Sequence, residues 1–482
     1  MDLVILADPS VAVTEGRVAA AGPRGAIRPL ALGAARVLDL GDARLFPGLR
    51  DSHAHLVPTG LAARRVDLHG MTLDRARAAL AARVRTTPPG QWVLGRGFSL
   101  ADLEASRPPS AGDLDDIAPD NPVRISSHDL HALWVNTRAL AAAGRPAEAP
   151  SYLLEDEVRL FMDAAGREND EERLAAARDA QALFHAAGIT AVQDHGLLAD
   201  LRAVLALAES GKLLLRVGFS VRDHELPGFL AAEPDLPRHP DLVTVNGQKA
   251  FLDGALGSRT AWTLDPYLDG SGSGHRALGR KEARDRVAFA ASRGLPTFLH
   301  AIGDGAVREA LDLFAEFPLL PHRVEHAQLV HPDDLPRFAR QNVMASVQTC
   351  HLLTDTPDLR RLWGDERAAR SFPLRSLVAS GAEVRLGSDT PVEPLDPMRG
   401  VFAACARRTL DGAPLPGEES LPADEALRLY YSFPEIVPGV PADLVAFPRD
   451  PATVPHDVLP RLRPCLTVFA GNVVFAGGAP PR

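Results

Sequence analysis

The sequence is poor in three features that would each point to a particular class of protein: cysteine, long apolar runs and positive charge. Its 3 cysteines, Cys350, Cys405 and Cys465, are far apart in 482 residues, which excludes a disulfide framework and a cluster of thiolate metal ligands. No apolar run approaches the ~20 residues of a membrane-spanning helix. The net charge of −10 argues against nucleic acid and anionic membrane surfaces as partners.

The first residues, MDLVILADPSV, include an acid at position 2 and no basic stretch, so we expect no secretory signal. A reducing, cytoplasmic setting is therefore the expectation. We expect the partner to be a small-molecule substrate, with neither nucleic acid nor membrane involved, and a homodimer is a possible assembly.

Lysine is also scarce. Only three of the 52 lysines and arginines are lysines, namely Lys212, Lys249 and Lys281. A lysine amine can become neutral and react, whereas an arginine guanidinium stays charged. Each remaining lysine is therefore a candidate for chemistry that arginine cannot perform.

The length predicts one large domain with accessory parts. Both chain ends consist of short apolar runs separated by Gly, Pro and Asp, which is typical of strands and turns. Neither end is large enough to bury a core alone, so we predict that residues 1–48 and 431–482 form one small β-sandwich. Residues 49–430 then form the main domain, with an inserted lid region at about 60–180.

The main domain alternates between helical segments that often end at a glycine and short apolar runs. The first predicted strand ends at His53, and strands two to eight are predicted at 189–194, 214–221, 243–252, 297–300, 323–326, 343–348 and 383–386. Eight strands alternating with helices predict an α/β fold of the (β/α)8 (TIM) barrel type. The active site of such a barrel lies at the carboxyl ends of its strands.

Residues that can bind metal ions occur at several of these strand ends. His53 and His55 are two residues apart, so they point the same way along a strand and can hold one ion. This pair alone is a weak signal, because the chain has 16 histidines. The other candidates are Lys249 in strand four, His300 at the end of strand five, His326 at the end of strand six and Asp389 at the end of strand eight. We predict that the six groups converge at the mouth of the barrel.

Such a site can hold two divalent ions that share a bridging carboxylate and lie about 3.5–4 Å apart. The inward position of strand four offers no Asp or Glu; it offers Lys249. A neutral amine can react with carbon dioxide to give a carbamate, which is an anionic bridge with two oxygens. Desolvation in the barrel lowers the pKa of the amine as this reaction requires. The alternative is a buried lysine paired with Asp253.

Several stretches together resemble the amidohydrolase superfamily, and within it the YtcJ-like (amidohydrolase 3) branch. The resemblance covers nearly the whole chain. It rests on FPGLRDSHAHL at 46–56, HALWVN at 131–136, GQKAFLDGALGSRTA at 247–261, HAIGDGAV at 300–307, RVEHAQLVHPDDLPRFA at 323–339, GSDTPVEPLDP at 387–397 and PADLVAF at 441–447. The chain departs from the family at Arg50, where an apolar residue is common, and in a shortened segment at 431–438.

The resemblance implies a binuclear centre, usually zinc, and hydrolysis of C–N bonds in amides, N-formyl amines or cyclic amides. The implied ligands are His53, His55 and Asp389 on one metal, His300 and His326 on the other, and carbamylated Lys249 between them. A hydroxide that bridges the ions would attack the carbonyl, and Asp389 would transfer its proton to the leaving nitrogen.

Four further residues are candidate substrate contacts. His131 lies in the insertion, Arg259 follows the Gly-Ala-Leu-Gly-Ser loop, and Gln348 and His351 lie at the end of strand seven. Asp194, on strand two, is a further candidate for the site.

Two other functions stay open at this point. A mononuclear metal deaminase on the same barrel would use a Glu three residues after the strand-five histidine. That position is Gly303, and Lys249 would then have no purpose. A metal-free binding protein that keeps the barrel without its chemistry is the second alternative, and the intact ligand set argues against it.

Overall fold

The structure is a computed structural model that describes residues 1–98, 100–103, 108–127, 132–154, 156–165 and 168–477. These residues form two compact units, one of residues 1–57 with 177–482 and one of residues 58–176. None of the helices in the described ranges is both long and apolar enough to cross a lipid bilayer.

The strands and helices of the described residues are numbered in chain order. The strands are β1 (Leu3–Asp8), β2 (Ser10–Thr14), β3 (Arg17–Gly22), β4 (Arg36–Pro47), β5 (Leu49–Ala54), β6 (Val66–Asp67), β7 (Val93–Phe98), β8 (Val123–Ser127), β9 (Ala132–Val135), β10 (Tyr152–Leu154), β11 (Ile189–Gly196), β12 (Arg216–Arg222), β13 (Val243–Phe251), β14 (Thr297–Ala301), β15 (Arg323–His326), β16 (Met344–Val347), β17 (Val384–Leu386), β18 (Leu444–Phe447), β19 (Leu466–Phe469) and β20 (Asn472–Ala476). The α-helices are α1 (Arg24–Ile27), α2 (Leu56–Arg64), α3 (Leu73–Val84), α4 (Leu100–Leu103), α5 (Gly112–Asp115), α6 (Thr137–Ala142), α7 (Asp156–Ala165), α8 (Asp170–Ala186), α9 (Leu198–Glu209), α10 (Leu226–Ala232), α11 (Arg280–Ala291), α12 (Asp304–Phe314), α13 (Leu335–Arg340), α14 (Leu352–Asp358), α15 (Gly364–Ala369), α16 (Leu374–Ala379), α17 (Pro397–Ala406) and α18 (Ala423–Arg428).

The larger unit is built on a sheet of eight strands in the order β5, β11, β12, β13, β14, β15, β16, β17. All seven neighbouring pairs in this order are parallel. The predicted α/β barrel with eight strands is therefore confirmed. Its strands are joined by helices, several of which end at a glycine with positive φ, such as Gly211 (φ 67°) and Gly294 (φ 72°).

The two chain ends meet in one sheet of seven strands, in the order β20, β19, β18, β4, β1, β2, β3. The predicted pairing of the chain ends is confirmed, because β18 pairs antiparallel with β4. Alternating apolar side chains from both ends, such as Leu3, Ile5, Leu444 and Val468, form its buried core. Each end completes the core that the other lacks.

The smaller unit has its own sheet, in the order β10, β9, β8, β7, β6, and its own core. That core includes Leu80, Val93, Ile125 and Trp134, all at most 1% exposed. This unit, residues 58–176, falls where the sequence predicts an insertion at about 60–180.

Candidate metal centre

The six predicted ligands lie at or near the carboxyl ends of five barrel strands. His53 lies in β5 and His55 follows that strand, Lys249 lies in β13, His300 lies in β14, His326 ends β15, and Asp389 follows β17. All are buried except His55, whose side chain is 16% exposed. The barrel thus brings together groups that are up to 336 positions apart in the sequence (53 to 389).

Asp389 is the carboxylate at the centre of this group. Its Oδ1 lies 3.1 Å from Nε2 of His55 and 3.3 Å from Nε2 of His53. Burial alone would raise the pKa of Asp389, but the neighbouring His53, His351 and His55 lower it well below its usual range. Asp389 is therefore an ionised carboxylate at neutral pH.

His326 connects the two pairs of predicted ligands. Its ring centroid lies 4.3 Å from that of His300 and 4.9 Å from that of His53. His53, His326 and Asp389 each offer one ligand atom, and the three atoms lie within 4.8 Å of one another. These three side chains can hold one divalent ion, so the structure groups His326 with His53 as well as with His300.

Burial keeps the second pair of imidazoles neutral, which is the form that binds metal. It lowers the pKa of His300 to about 3, with help from Lys249, and it lowers the pKa of His326 well below its usual range. Nε2 of His300 donates a hydrogen bond to the carbonyl of Gly254 at 3.0 Å. Nδ1 is thus the atom of His300 that is free to accept a metal.

Lys249 is 1% exposed, and its Nζ has no hydrogen-bond partner among the described residues. Burial lowers the pKa of this amine to about 7, although Glu325 and Asp389 oppose the shift. Asp253, the alternative partner, instead accepts backbone hydrogen bonds from Trp262, Ile302 and Gly303. A large fraction of Lys249 is therefore a neutral, nucleophilic amine near pH 7.

Glu325 is a buried member of the centre that the sequence analysis did not identify. Nδ1 of His53 donates a hydrogen bond to its Oε2 at 2.6 Å, and Nε of Arg323 lies 2.9 Å from its Oε1. Although burial raises the pKa of Glu325, Arg323 and His53 lower it to about 2. A carboxylate on Nδ1 fixes the tautomer of His53, and Nε2 is then the ring nitrogen that faces Oδ1 of Asp389.

His195, at the end of β11, was also missed. Its Nδ1 lies 2.5 Å from the hydroxyl of Ser220, and its Nε2 lies 3.8 Å from Oε2 of Glu325. His53, His195 and Glu325 form a second group whose ligand atoms lie within 4.8 Å of one another. The carbonyl of His195 also accepts a hydrogen bond from Nδ1 of His55 at 2.7 Å, so Nε2 of His55 is the ring nitrogen that faces Asp389 Oδ1, at 3.1 Å.

Asp51 joins the first strand of the barrel to the segment after the last strand. Its Oδ1 accepts hydrogen bonds from the backbone N–H groups of His53 (3.1 Å) and Ser388 (3.0 Å), and its Oδ2 accepts one from the Ser388 hydroxyl at 2.5 Å. The backbone N–H of Asp389 donates to the carbonyl of His53 at 2.7 Å. This Asp51 clasp fixes the distance between two predicted ligands.

Two of the predicted ligands adopt backbone conformations that L-residues rarely use. His326 has φ 75° and Asp389 has φ 59°. Such positions cost about 1–3 kcal/mol each and persist only where the surrounding structure holds them, often at functional sites. At His326 the unusual φ has a visible effect, because it lets two consecutive side chains, Glu325 and His326, both face the centre.

The predicted substrate contacts have different surroundings. Nε2 of His351 lies 3.5 Å from Oδ2 of Asp389, and Gln348 is buried with its amide nitrogen donating to the carbonyl of Ser346 at 3.1 Å. Arg259 is largely exposed and paired with Asp269 at 2.6 Å. His131 lies outside the described residues. Asp194 accepts a hydrogen bond from the N–H of Leu56 at 3.1 Å.

The donor set fits divalent metal ions and a modified lysine. Buried polar atoms are nearly always hydrogen-bonded, yet Lys249 Nζ and His195 Nε2 have no hydrogen-bond partner among the described residues. They lie among neutral imidazoles and the ionised carboxylates of Asp389 and Glu325. Neutral imidazole and carboxylate are the ligands that catalytic zinc sites use.

The model of the Amidohydrolase family matches residues 36–475 of this chain. Among curated proteins, YtcJ of Bacillus subtilis (strain 168), which is named as an amidohydrolase, is 28% identical over 91% of this chain and 90% of its own length. The N-substituted formamide deformylase of Arthrobacter pascens is 27% identical over 96% of this chain and 94% of its own.

Among solved structures, a metal-dependent hydrolase of uncharacterised function from Pyrococcus horikoshii OT3 superposes with a TM-score of 0.81. It is 27% identical, and the superposition covers 95% of this chain and 98% of that one. The match therefore includes the terminal sheet as well as the barrel.

Proposed function

This chain belongs to the amidohydrolase family, and on that premise we propose that it is a metal-dependent amidohydrolase that cleaves a non-peptide C–N bond in an amide, an N-formyl amine or a cyclic amide. That it is a hydrolase follows from its family. The bond it cleaves, the binuclear centre and the carbamate are the proposal. The name of the formamide deformylase to which it is similar favours an N-formyl group as one substrate type.

The observation that carries this proposal is the state of Lys249. A buried lysine normally requires a carboxylate partner, but no described carboxylate lies within ion-pair distance of its Nζ. The amine lies close enough to His300 and His326 to lower the pKa of both imidazoles. Conversion of this amine to a carbamate gives an anion next to four potential metal ligands. Zinc is the metal that we expect.

In the proposed centre, one ion would be held by His53, His55 and Asp389. The other ion would be held by His300 and His326, and the carbamate on Lys249 would contact both ions. Divalent ions bound there would polarise the substrate carbonyl and lower the pKa of a water molecule. The chain itself orients two of these imidazoles through a hydrogen bond at the ring nitrogen that would not bind metal. Glu325 orients His53, and the carbonyl of His195 orients His55.

Asp389 is the proposed proton carrier. It is ionised at neutral pH, so it can accept a proton from the attacking water and deliver it to the leaving nitrogen. His351 lies beside it. Burial lowers the pKa of His351, but Asp389, Asp355 and Glu393 together raise it to about 9, so this imidazole is charged at pH 7. We propose that His351 and Gln348 contact the substrate near the scissile bond.

The direct test combines metal analysis with a substrate screen. The purified protein, loaded with zinc or manganese in the presence of bicarbonate, is assayed against N-formyl amines, N-acyl amino acids and cyclic amides. We expect two ions per chain and hydrolysis of at least one class. One ion per chain would favour a mononuclear deaminase, and no bound ion would favour a binding protein.

The variant Asp389→Asn tests the proposed role of Asp389 as the proton carrier. It should retain part of the metal but lose turnover by at least about 100-fold, which is the low end for loss of a general acid–base group. The matched control is Asp285→Asn, which alters an exposed carboxylate paired with Lys281 on α11. Normal turnover by Asp389→Asn would contradict the assigned role.

A further inference from the structure

Arg222 is a cation next to the candidate metal centre that the proposed chemistry does not use. It is the last residue of β12, so it lies at the same carboxyl end of the barrel as the predicted ligands. In the parallel pairing of β12 with β13, Arg222 is in register with Lys249. Its side chain is half-buried.

The guanidinium of Arg222 is stacked but not paired. Its Cζ lies 4.6 Å from the centroid of the Phe251 ring. Among the described residues, it has no hydrogen bond or ion pair. Burial lowers its pKa, and nearby carboxylates oppose that shift, namely those of Asp223, Asp389, Asp200 and Asp194. The adjacent Asp223 is paired with Arg286 instead. A guanidinium whose face lies on an aromatic ring and whose N–H groups make no hydrogen bond within the described residues is suited to binding an anion.

The same phenylalanine connects Arg222 to the reactive groups. The centroid of the Phe251 ring lies 5.1 Å from that of His300 and 5.1 Å from Nζ of Lys249. The Cζ of Arg222 and the Nζ of Lys249 therefore lie within about 10 Å of each other, which is a span that one small substrate can cover.

We propose that Arg222 binds a carboxylate of the substrate, and that the substrates are acidic amides of the N-acyl amino acid class. This inference rests on the proposed hydrolase function and narrows it. An arginine fork matches the two oxygens of a carboxylate, and charge-assisted pairs of this type are the strongest hydrogen bonds in proteins. Phe251 would fix the plane of the guanidinium and reduce the entropy lost on binding.

An internal role is the main competing explanation. Arg222 could instead pair with the carbamate on Lys249, in which case it would act through the metal centre. The two roles differ in what they predict for substrates without an acid group. A carboxylate-binding arginine affects only acidic substrates, whereas an arginine that supports the metal centre affects all substrates equally.

The test uses matched pairs of substrates that differ in one group. The metal-loaded enzyme and its Arg222→Met and Arg222→Lys variants are assayed on N-formyl and N-acetyl amino acids and on the corresponding amides of the decarboxylated amines. We expect Arg222→Met to lose on the order of 100-fold in kcat/KM on the acids, mostly through KM, and less than about threefold on the neutral amides. Arg222→Lys should recover part of the loss.

Binding is measured separately from turnover. Calorimetric titration with an N-acetyl amino acid should show affinity for the wild-type chain, at least tenfold weaker affinity for Arg222→Met, and no change for Arg293→Met. Arg293 is a suitable control, because its guanidinium also lies over a phenylalanine, Phe289, at 5.5 Å. Unfolding midpoints of all variants establish that the fold is retained.

Each outcome decides the question. Equal losses on acidic and neutral substrates would overturn the inference in favour of a role in the metal centre, and unchanged kinetics and binding would also overturn it. If the wild-type enzyme hydrolyses only neutral amides, the hydrolase proposal stands and the substrate class is wrong. If it hydrolyses nothing but binds the acid through Arg222, the carboxylate site stands and the hydrolase proposal fails.

Discussion

Both the sequence and the structure identify Lys249 as a lysine suited to chemistry that arginine cannot perform. The chain has three lysines, and the other two, Lys212 and Lys281, are exposed. Only Lys249 is buried, and its amine has no partner among the described residues. Lysine and arginine are therefore not interchangeable at this position, because an arginine at the same place could not become neutral.

The lowered pKa of Lys249 predicts how its carbamate forms. The neutral amine attacks carbon dioxide and the ammonium does not, so formation should follow the neutral fraction. With a pKa of about 7, that fraction falls about tenfold per pH unit well below 7 and levels off above about 8. The metal-free, decarbamylated enzyme should therefore regain activity on addition of zinc faster as the pH rises from 5.5 to 8 at constant dissolved carbon dioxide.

The measurement is the rate of reactivation at each pH, followed with any substrate found in the screen. Lys249→Arg provides the comparison, and it should remain inactive at every pH and carbon dioxide concentration. Lys281→Arg, which alters an exposed lysine, should behave as the wild type. A reactivation rate that does not depend on carbon dioxide would exclude the carbamate.

The sequence analysis missed Glu325 and His195 for different reasons. Alternation along a strand places consecutive residues on opposite faces, so assigning His326 inward assigns Glu325 outward. The left-handed backbone of His326 cancels that rule, and such a φ cannot be read from the sequence. His195 is different. It ends a correctly predicted strand, so the same strand-end argument that identified His300 could have found it.

At the scale of elements, the strand order was predictable and the seam of the barrel was not. Periodicity identifies each strand, and alternation with helices implies parallel neighbours. However, no ladder pairs β17 with β5 in the described sheet. The seam is instead bridged by the Asp51 clasp and by two backbone hydrogen bonds, from Asp389 N–H to the His53 carbonyl (2.7 Å) and from His55 N–H to the Thr390 carbonyl (3.0 Å). Asp51 is only one of many acids in the sequence, and nothing local marks its partner 337 positions away.

The clasp predicts that Asp51 matters for both stability and metal retention. Asp51→Ala leaves three buried donors without an acceptor, and each costs about 1–3 kcal/mol. We therefore expect the free energy of unfolding to fall by about 3 kcal/mol or more. Zinc affinity should also fall, because His53 and Asp389 lose their fixed separation. Urea unfolding of the metal-free protein and metal titration measure the two effects independently.

Asp39→Ala is the matched control for the clasp. Asp39 is also paired, with Arg24, but this pair lies at the surface of the terminal sheet, with the two side chains 40% and 36% exposed. Exposed pairs contribute about 0–1 kcal/mol, so this variant should change little. A fall in stability for Asp51→Ala no larger than that of the control would show that the seam is held by other contacts.

At the scale of the whole molecule, the sequence indicated that the two ends cooperate, because neither could bury a core alone. It did not indicate how that sheet is joined to the metal centre. Strand β4 of the terminal sheet and β5 of the barrel are separated only by Gly48. The N–H of Gly48 donates to the carbonyl of Asp443 in the segment before β18 at 2.7 Å. One continuous stretch therefore links the terminal sheet to the strand that bears His53.

Gly48 is the point at which this link can be tested. A Cβ at this position would lie 2.2 Å from Oγ1 and 2.8 Å from Cγ2 of Thr190 in the barrel, and 3.0 Å from the carbonyl oxygen of Asp443. Thr190 is fully buried, so it cannot move aside cheaply. Gly48→Ala should lower the free energy of unfolding by about 1–3 kcal/mol, as overpacking does, and weaken zinc retention by displacing β5.

Gly22→Ala, with no atom near its Cβ, should do neither. In Gly48→Ala/Thr190→Gly, removal of the threonine side chain should restore part of the zinc affinity relative to Gly48→Ala, even if stability stays low. If zinc affinity is unchanged in Gly48→Ala while stability falls, the terminal sheet supports the fold without positioning His53.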